Sequence, residues 1–396
     1  MSLTPSVQTA TVRAGIAKDS QHGAVVPPLY LSTNFVFDGP GRPRRYDYTR
    51  SGNPTRDQLG DAVAHLEGGA GAVITSSGMA AVAAVTHLLG RGDLLLAPHD
   101  LYGGCHRLFR AESRRVGFDA RFVNMSADGG LDAARHLRPR VIWVETPSNP
   151  LLRITDIAAW AEWAHEVGAL CVVDNTFLSP ACQRPLEFGA DLVVHSTTKF
   201  INGHSDVVGG AVVARDAGLH QEIAWWANCL GLTGSPFDAY QTLRGLRTLD
   251  ARVRVHEANA LEVVRTLVDH PAVARVHHPS LSGHPGHALA ARQQTGFGSL
   301  VTLELHGGLA AVEAFVDDLR HFSLAESLGG VESLIAHPWT MTHASMEEQA
   351  RREAGIHDGM LRLSVGIESA QDLTADLVRA LQRAERRAQE ASCVSA

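Results

Sequence analysis

Of the 35 basic residues in this 396-residue chain, only Lys18 and Lys199 are lysines; all the others are arginines. Arginine replaces lysine wherever a bare positive charge is enough, but its guanidinium stays protonated and cannot act as a neutral, nucleophilic amine. A lysine that persists against such a background is a candidate for amine chemistry. Lys18 lies in the polar stretch Gly15–Ser20, where a solvated surface charge is expected. Lys199 closes the run Asp191-Leu-Val-Val-His-Ser-Thr-Thr-Lys199, directly after an apolar segment. Other polar and small residues follow apolar runs in the same way: Ser77-Gly78-Met79, Tyr102 with its two glycines, Asn149, Asp174, Ser196 and Thr198. Together they answer the needs of a pyridoxal phosphate site. The aldehyde of that cofactor requires a lysine for a Schiff base, and its pyridine nitrogen requires an acidic partner to stay protonated, roles open to Lys199 and Asp174. Tyr102 could face the ring. The Ser77–Met79 turn, Ser196 and Thr198 could offer N–H and hydroxyl donors to the phosphate. Singly, each has an ordinary structural role, Asp174 as a helix cap, Tyr102 in a core, Ser196 and Thr198 in a turn. Their joint occurrence around an isolated lysine is what carries the reading.

The elements that must position these residues read as alternating strands and helices. Strands are expected at Ala72–Thr75, Leu94–Ala97, Arg121–Asn124, Val141–Glu145, Leu170–Asp174, Leu192–His195 and Gly210–Val213. Amphipathic stretches fall between them; in Asp156–Val167, Ile157, Trp160, Ala161, Ala164 and Val167 recur at helical spacing. This alternation implies βαβ crossovers and a mainly parallel sheet covered by helices on both faces, with ligands bound beyond the carboxyl ends of its strands. Pro236–Asp269 reads as long helical sequence, and Ser299–Leu305, Arg362–Val365 and Asp372–Ala388 suggest a smaller α+β unit. Gln21–Thr55 lacks periodicity but is rich in Pro, Gly, Tyr and Arg, as expected for a wrap over its own surface or onto a neighbouring subunit.

Composition narrows the function classes. With 45% hydrophobic and 19% charged residues the chain can bury a large core, and a net charge of −7 without charge blocks argues against nucleic acid or anionic membrane as partners. No apolar run approaches the roughly 18 residues of a membrane span, and Met1–Ile16 lacks a basic and an apolar signal region, so a soluble cytoplasmic protein is expected. The five cysteines, Cys105, Cys171, Cys182, Cys229 and Cys393, are widely spaced and suggest free thiols. The 21 histidines show no zinc spacing, and His277, His278, His284 and His287 are expected in a solvated loop, so no metal site is expected. Gly-x-Gly-x-x-Gly and Gly-x-Ser-x-Gly are absent, which removes a nicotinamide dehydrogenase and a serine hydrolase.

The fifteen residues Asp191–Ser205 resemble the signature of the Cys/Met-metabolism family of pyridoxal-phosphate enzymes. Tyr48-Thr-Arg-Ser-Gly-Asn-Pro-Thr55, Ser77-Gly-Met79, Tyr102-Gly-Gly104, Glu145-Thr-Pro-Ser-Asn-Pro150, Val173-Asp-Asn-Thr176 and Arg362-Leu-Ser-Val-Gly-Ile-Glu368 are similar to its other blocks, in order. The resemblance, from about Thr11 to about Arg383, implies a fold-type I transferase-like architecture. It implies an N-terminal arm over residues 1–60, a large cofactor-binding domain over 61–255 and a small domain over 256–396. It implies that Lys199 is the Schiff-base lysine and proton carrier, that Asp174 pairs with the ring nitrogen, and that Tyr102 stacks on the ring. Ser77, Gly78, Met79, Ser196 and Thr198 are implied to hold the phosphate, and Asn149 the phenolic oxygen. Tyr48 and Arg50 are implied to reach the phosphate of the neighbouring subunit, in a dimer or a homotetramer built as a dimer of dimers. Arg362 with Ser327 is implied to bind the substrate α-carboxylate.

Within the family, Ala97–Asp100, Trp225–Asn228, Val208–Gly210 and Arg107–Phe109 are similar to bacterial members that join an activated homoserine ester, often the O-succinyl ester, to L-cysteine. Glu326 resembles the carboxylate of members that act at Cγ, and Arg107 could meet the distal carboxylate of a succinyl group. Those bacterial members tend to carry a second arginine at the position where this chain has Ser51, and a serine there is similar to many members that instead cleave cystathionine. Both reactions are expectations at this point.

Overall fold

The computed structural model describes residues 6–344 and 346–394, without the side chains of residues 391–394. Seven strands form the first sheet: β1 (Gly71–Thr75), β2 (Leu94–Pro98), β3 (Asp119–Val123), β4 (Val141–Glu145), β5 (Leu170–Asp174), β6 (Leu192–His195) and β7 (Gly210–Ala214). Their order is β1-β7-β6-β5-β4-β2-β3. β3 to β6 run parallel through β2, while β7 is antiparallel to both β1 and β6.

Alternation along these strands divides the core into two layers. Leu95, Trp143, Val172, Val194 and Val212 pack with helices Gly78–Thr86, Gly103–Val116 and Ala217–Leu230 on one face. Leu96, Ile142, Val144, Cys171 and Val173 meet helix Ile157–Glu166 on the other. On that second face Val193, Ala211 and Val213 meet Leu59, Val63 and Leu66 of helix Pro54–Glu67. The expected run Asp156–Val167 is this helix Ile157–Glu166 with Asp156 as N-cap, its carboxylate accepting from Ala159 N. The expected helical sequence Pro236–Asp269 is two helices, Pro236–Leu246 and Leu249–Val268, parted at Thr248.

A second sheet of five strands, β8 (Val273–His277), β9 (Leu300–Leu305), β10 (Phe322–Leu324), β11 (Ser333–Ala336) and β12 (Met360–Ser364), has the order β10-β11-β12-β9-β8. Its core joins Val301, Leu303, Ile335, Leu361 and Leu363 to Val263, Val264 and Leu267 of helix Leu249–Val268 and to Leu373, Leu377 and Leu381 of helix Ala370–Val394. The histidine-rich stretch departs from the solvated loop expected of it: His277 lies on β8 and His278 is fully buried, its ring held at about 4 chiefly by burial. Between Gln21 and Asn53 no helix or strand forms; Val25, Leu31 and Val36 are exposed. Cys105, Cys171 and Cys182 are buried and Cys229 exposed, all as free thiols; the Cys393 side chain lies outside the described residues.

Candidate active site

The carboxyl ends of β1, β4, β5 and β6 open onto a cavity of about 330 Å³. Ser77, Gly78, Met79, Tyr102, Asn149, Asp174, Ser196, Thr198 and Lys199 line it from the first sheet's side, and Glu326, Ser327 and Arg362 from the second. Tyr48, Arg50 and Arg107 do not line it. Tyr48 is half exposed on the arm, where the Arg50 guanidinium lies 5.9 Å from its ring centre and donates to Asn228 O at 2.9 Å. Arg107 is exposed on helix Gly103–Val116, close enough for its charge to act on Tyr102. Ser51 Oγ lies 2.7 Å from both Asp47 Oδ1 and Tyr48 O.

Lys199 sits one turn beyond β6, its Nζ donating to Ser327 Oγ at 2.7 Å. Burial, together with the charge of Arg362, lowers its amine to about 8. Ser327 has φ of 91°, a left-handed conformation rare for a side-chain-bearing residue. In that conformation its hydroxyl meets the lysine while its carbonyl accepts from Arg362 Nη2 at 2.8 Å. Arg362, on β12 and buried, also donates from Nη1 to Asn149 Oδ1 at 3.0 Å. Its Nε has no partner among the described residues, so one buried donor remains for a ligand. Behind Asn149, His343 is fully buried and lowered to about 4 by burial, hence neutral; its Nε2 donates to Asn149 O at 3.1 Å. The same loop is tied down by Asp100, which accepts from Ser148 Oγ and Arg153 Nη1, each at 2.8 Å.

Asp174 and Glu145 stand side by side in register on β5 and β4. Burial and then the Asp174 charge push Glu145 well above the ordinary carboxyl range. Burial also raises Asp174, but hydrogen bonds from Thr176 and the charge of His195 act to keep it ionised. Of the two, Glu145 is pushed up the further, and its Oε2 accepts from Tyr102 N at 2.9 Å. A side chain at Gly104 would stand 2.5 Å from the Tyr102 ring, so the glycine is what lets that ring lie back over the helix. A Cβ on Gly78 would come within 2.8 Å of Ser196, so this position too requires glycine, at the start of helix Gly78–Thr86. Helix N-termini favour anions, and Ser77 caps this one by accepting from Ala80 N at 3.0 Å, leaving the earlier N–H groups for a ligand. The Thr198 hydroxyl exchanges hydrogen bonds with the backbone of Gly209.

An amine lowered toward neutrality, a buried carboxyl group at a strand end, a half-exposed phenol ring and an open helix N-terminus fit pyridoxal 5'-phosphate. Reading the sequence did not single out Glu145, Cys105 or Thr342, which also line the cavity. Glu145 ends a strand, so the rule that led to Asp174 also applies to it; nothing local marks the other two.

Residues 8–382 match the family described as Cys/Met metabolism PLP-dependent enzyme. Cystathionine gamma-synthase of Escherichia coli (strain K12) is 51% identical over 385 residues, covering 97% of this chain and 100% of that protein. Cystathionine gamma-lyase of Dictyostelium discoideum is 43% identical over 378 residues, covering 95% of this chain and 98% of that one. The crystal structure of cystathionine gamma synthase from Xanthomonas oryzae pv. oryzae, in complex with aminoacrylate and cysteine, has a TM-score of 0.95 at 62% identity, covering 97% of this chain and 100% of that one.

Proposed function

This chain belongs to the Cys/Met metabolism family of PLP-dependent enzymes, and from that premise we propose that it catalyses cystathionine γ-synthesis. The reaction replaces the γ-substituent of O-succinyl-L-homoserine or O-acetyl-L-homoserine with L-cysteine, giving L-cystathionine and the free acid, a transsulfuration step towards methionine. The observation that carries the reading is the lysine lowered to about 8 and held 2.7 Å from Ser327, beside the buried Arg362. It unites an amine able to carry protons near neutrality with a guanidinium suited to an α-carboxylate.

Bound in the cavity, pyridoxal phosphate supplies an aldehyde for amines and an electron-accepting ring that makes Cα–H and Cβ–H acidic. Asp174 holds a proton on the ring nitrogen. Tyr102 covers the ring face, and Asn149 orients the phenolic oxygen. Gly78 and Met79, with Ser77, Ser196 and Thr198, hold the phosphate at the helix N-terminus. Lys199 Nζ takes the proton from substrate Cα and returns it at the end of turnover. Arg362 and Ser327 fix the α-carboxylate, so the γ-substituent points outward, where Arg107 can meet a distal carboxylate. Glu326, whose charge is felt by Tyr102, Lys199 and Arg362, would face the γ-carbon of a bound substrate. Tyr48 and Arg50, away from their own cavity and on an arm with exposed apolar residues, complete the phosphate site of a neighbouring copy. The working protein is a cytoplasmic homotetramer, a dimer of dimers.

Ser51 supports a second reading. Its hydroxyl is engaged within the arm, and no arginine stands there to assist a succinyl group; the alternative is γ-elimination of cystathionine to cysteine, 2-oxobutyrate and ammonia. Two mixtures at matched concentrations decide: O-succinyl-L-homoserine with L-cysteine, scored for cystathionine, and L-cystathionine alone, scored for 2-oxobutyrate. A much faster first reaction is expected. A faster second reaction makes the chain a γ-lyase.

A further inference from the structure

Strand alternation sets Asp174 and Ser196 on the cavity side of the sheet and turns their neighbours Asn175 and His195 to the opposite side, towards helix Pro54–Glu67. There both meet one oxygen. Glu67 Oε1, at the last residue of that helix, accepts from His195 Nε2 at 2.6 Å and from Asn175 Nδ2 at 2.8 Å. All three residues are fully buried. Asn175 is fixed further by Gln183, whose Nε2 donates to Asn175 Oδ1 at 3.0 Å. A buried carboxylate is costly to desolvate, and a hydrocarbon core would hold the two strands together without it. What a single carboxylate oxygen adds is a fixed distance between the ends of two strands whose next residues both face the cofactor.

Resting on the cofactor reading of the cavity, we propose that Glu67 and His195 are positioning residues. Their pairing, with Asn175, clasps the carboxyl ends of β5 and β6 from behind, setting where Asp174 and Ser196 stand relative to each other and to the bound cofactor. The clasp touches neither substrate nor cofactor and acts only through the residues next to it. The charge of His195 also bears on Asp174, favouring its ionised form.

The test compares the wild-type holoenzyme with Glu67→Asp, which keeps the charge but withdraws it by one methylene, and Glu67→Gln, which keeps an oxygen at full reach. His195→Asn is the second probe, releasing β6 alone. Readouts are kcat and KM, the visible circular dichroism of bound pyridoxal phosphate, and the thermal midpoint of each apoprotein. In Glu67→Asp, a displacement of about 1 Å at Asp174 lowers kcat about 100-fold while KM, set at Arg362, stays near wild type. The dichroism band weakens with it, and Glu67→Gln recovers most of both. His195→Asn shows the same split more weakly. If Glu67→Asp or His195→Asn keeps wild-type kcat and dichroism while only its apoprotein midpoint falls, the pair is ordinary core and the proposal is overturned. Wild-type apoprotein that takes up no pyridoxal phosphate would instead overturn the cofactor reading itself.

Discussion

Replacing Arg362 with lysine retains a positive charge and removes the fork. The guanidinium is 3% exposed and spends two N–H groups on Asn149 Oδ1 and Ser327 O, at 3.0 and 2.8 Å. A lysine ammonium is a shorter, single-point donor that cannot hold both carbonyls and still turn a free N–H to a carboxylate, as Arg362 Nε can. The loss of one charge-assisted hydrogen bond to the substrate amounts to about 1.5–3 kcal/mol, or about 10- to 150-fold in kcat/KM. Because the α-carboxylate is present before and during reaction, the loss should fall mainly on KM. The assay is steady-state kinetics of Arg362→Lys with O-succinyl-L-homoserine and with its α-carboxamide, which keeps the succinyl carboxylate but lacks the α-carboxylate. The variant should approach wild type on the amide while failing on the acid, with the visible spectrum of the bound cofactor unchanged. An unaltered KM for the acid, or an equal loss on both substrates, refutes the clamp.

The remaining predictions concern protons. With its amine at about 8, Lys199 should capture pyridoxal phosphate at a rate that climbs with pH and levels off above about pH 8, followed by stopped-flow absorbance of the apoprotein; a climb continuing towards pH 10 contradicts the assigned burial. Because Glu145 is pushed well above the ordinary carboxyl range and serves Tyr102 as an acceptor, Glu145→Gln should hold the cofactor far better than Glu145→Ala, as read by equilibrium dialysis, and equal affinities would show that the contact to Tyr102 N is idle. His343 and His278 are buried neutral at about 4 against about 6.5 in an unfolded chain, so unfolding takes up protons between those values. Stability is then complete above about pH 6.5 and falls on acidification towards pH 4, by about 1.4 kcal/mol per pH unit for each ring. His343→Gln should flatten the acid side of a plot of thermal midpoint against pH, and an unchanged slope counts against the assignment.

The strands that carry the site were legible because they are buried on both faces and read as unbroken apolar runs; Val141–Glu145, Leu170–Asp174 and Leu192–His195 hold at both ends. The second sheet was harder. Phe322–Leu324 is three residues long with two of them exposed, and Val273–His277 is exposed at Ala274 and Arg275, so neither has a period to detect. Within the cavity, Lys199 stands out in the sequence as a lysine kept among arginines, and Asp174, Tyr102, Ser196 and Thr198 only through their joint occurrence around it. What could not be read is pairing between distant positions. His195 meets Glu67 across 128 residues, and a glutamate ending a helix looks like any surface acid until the fold buries it. The left-handed backbone of Ser327 is likewise imposed from outside, by the lysine and arginine that its two oxygens face.

That two-sided cavity orders the assembly of the protein in time. Lys199 meets Ser327 across 128 residues, and Arg362 meets Asn149 across 213. Contacts so remote in sequence carry the largest closure cost and form after local ones. A refolding chain can therefore pair β4, β5 and β6 and bring Lys199 beside Asp174 while its amine still faces water and keeps its proton. The lysine becomes a ready nucleophile only when Ser327 and Arg362 arrive and close it in. The colour of captured cofactor would then mark the docking of the second sheet onto the first, and would lag behind the far-ultraviolet signal of either sheet alone.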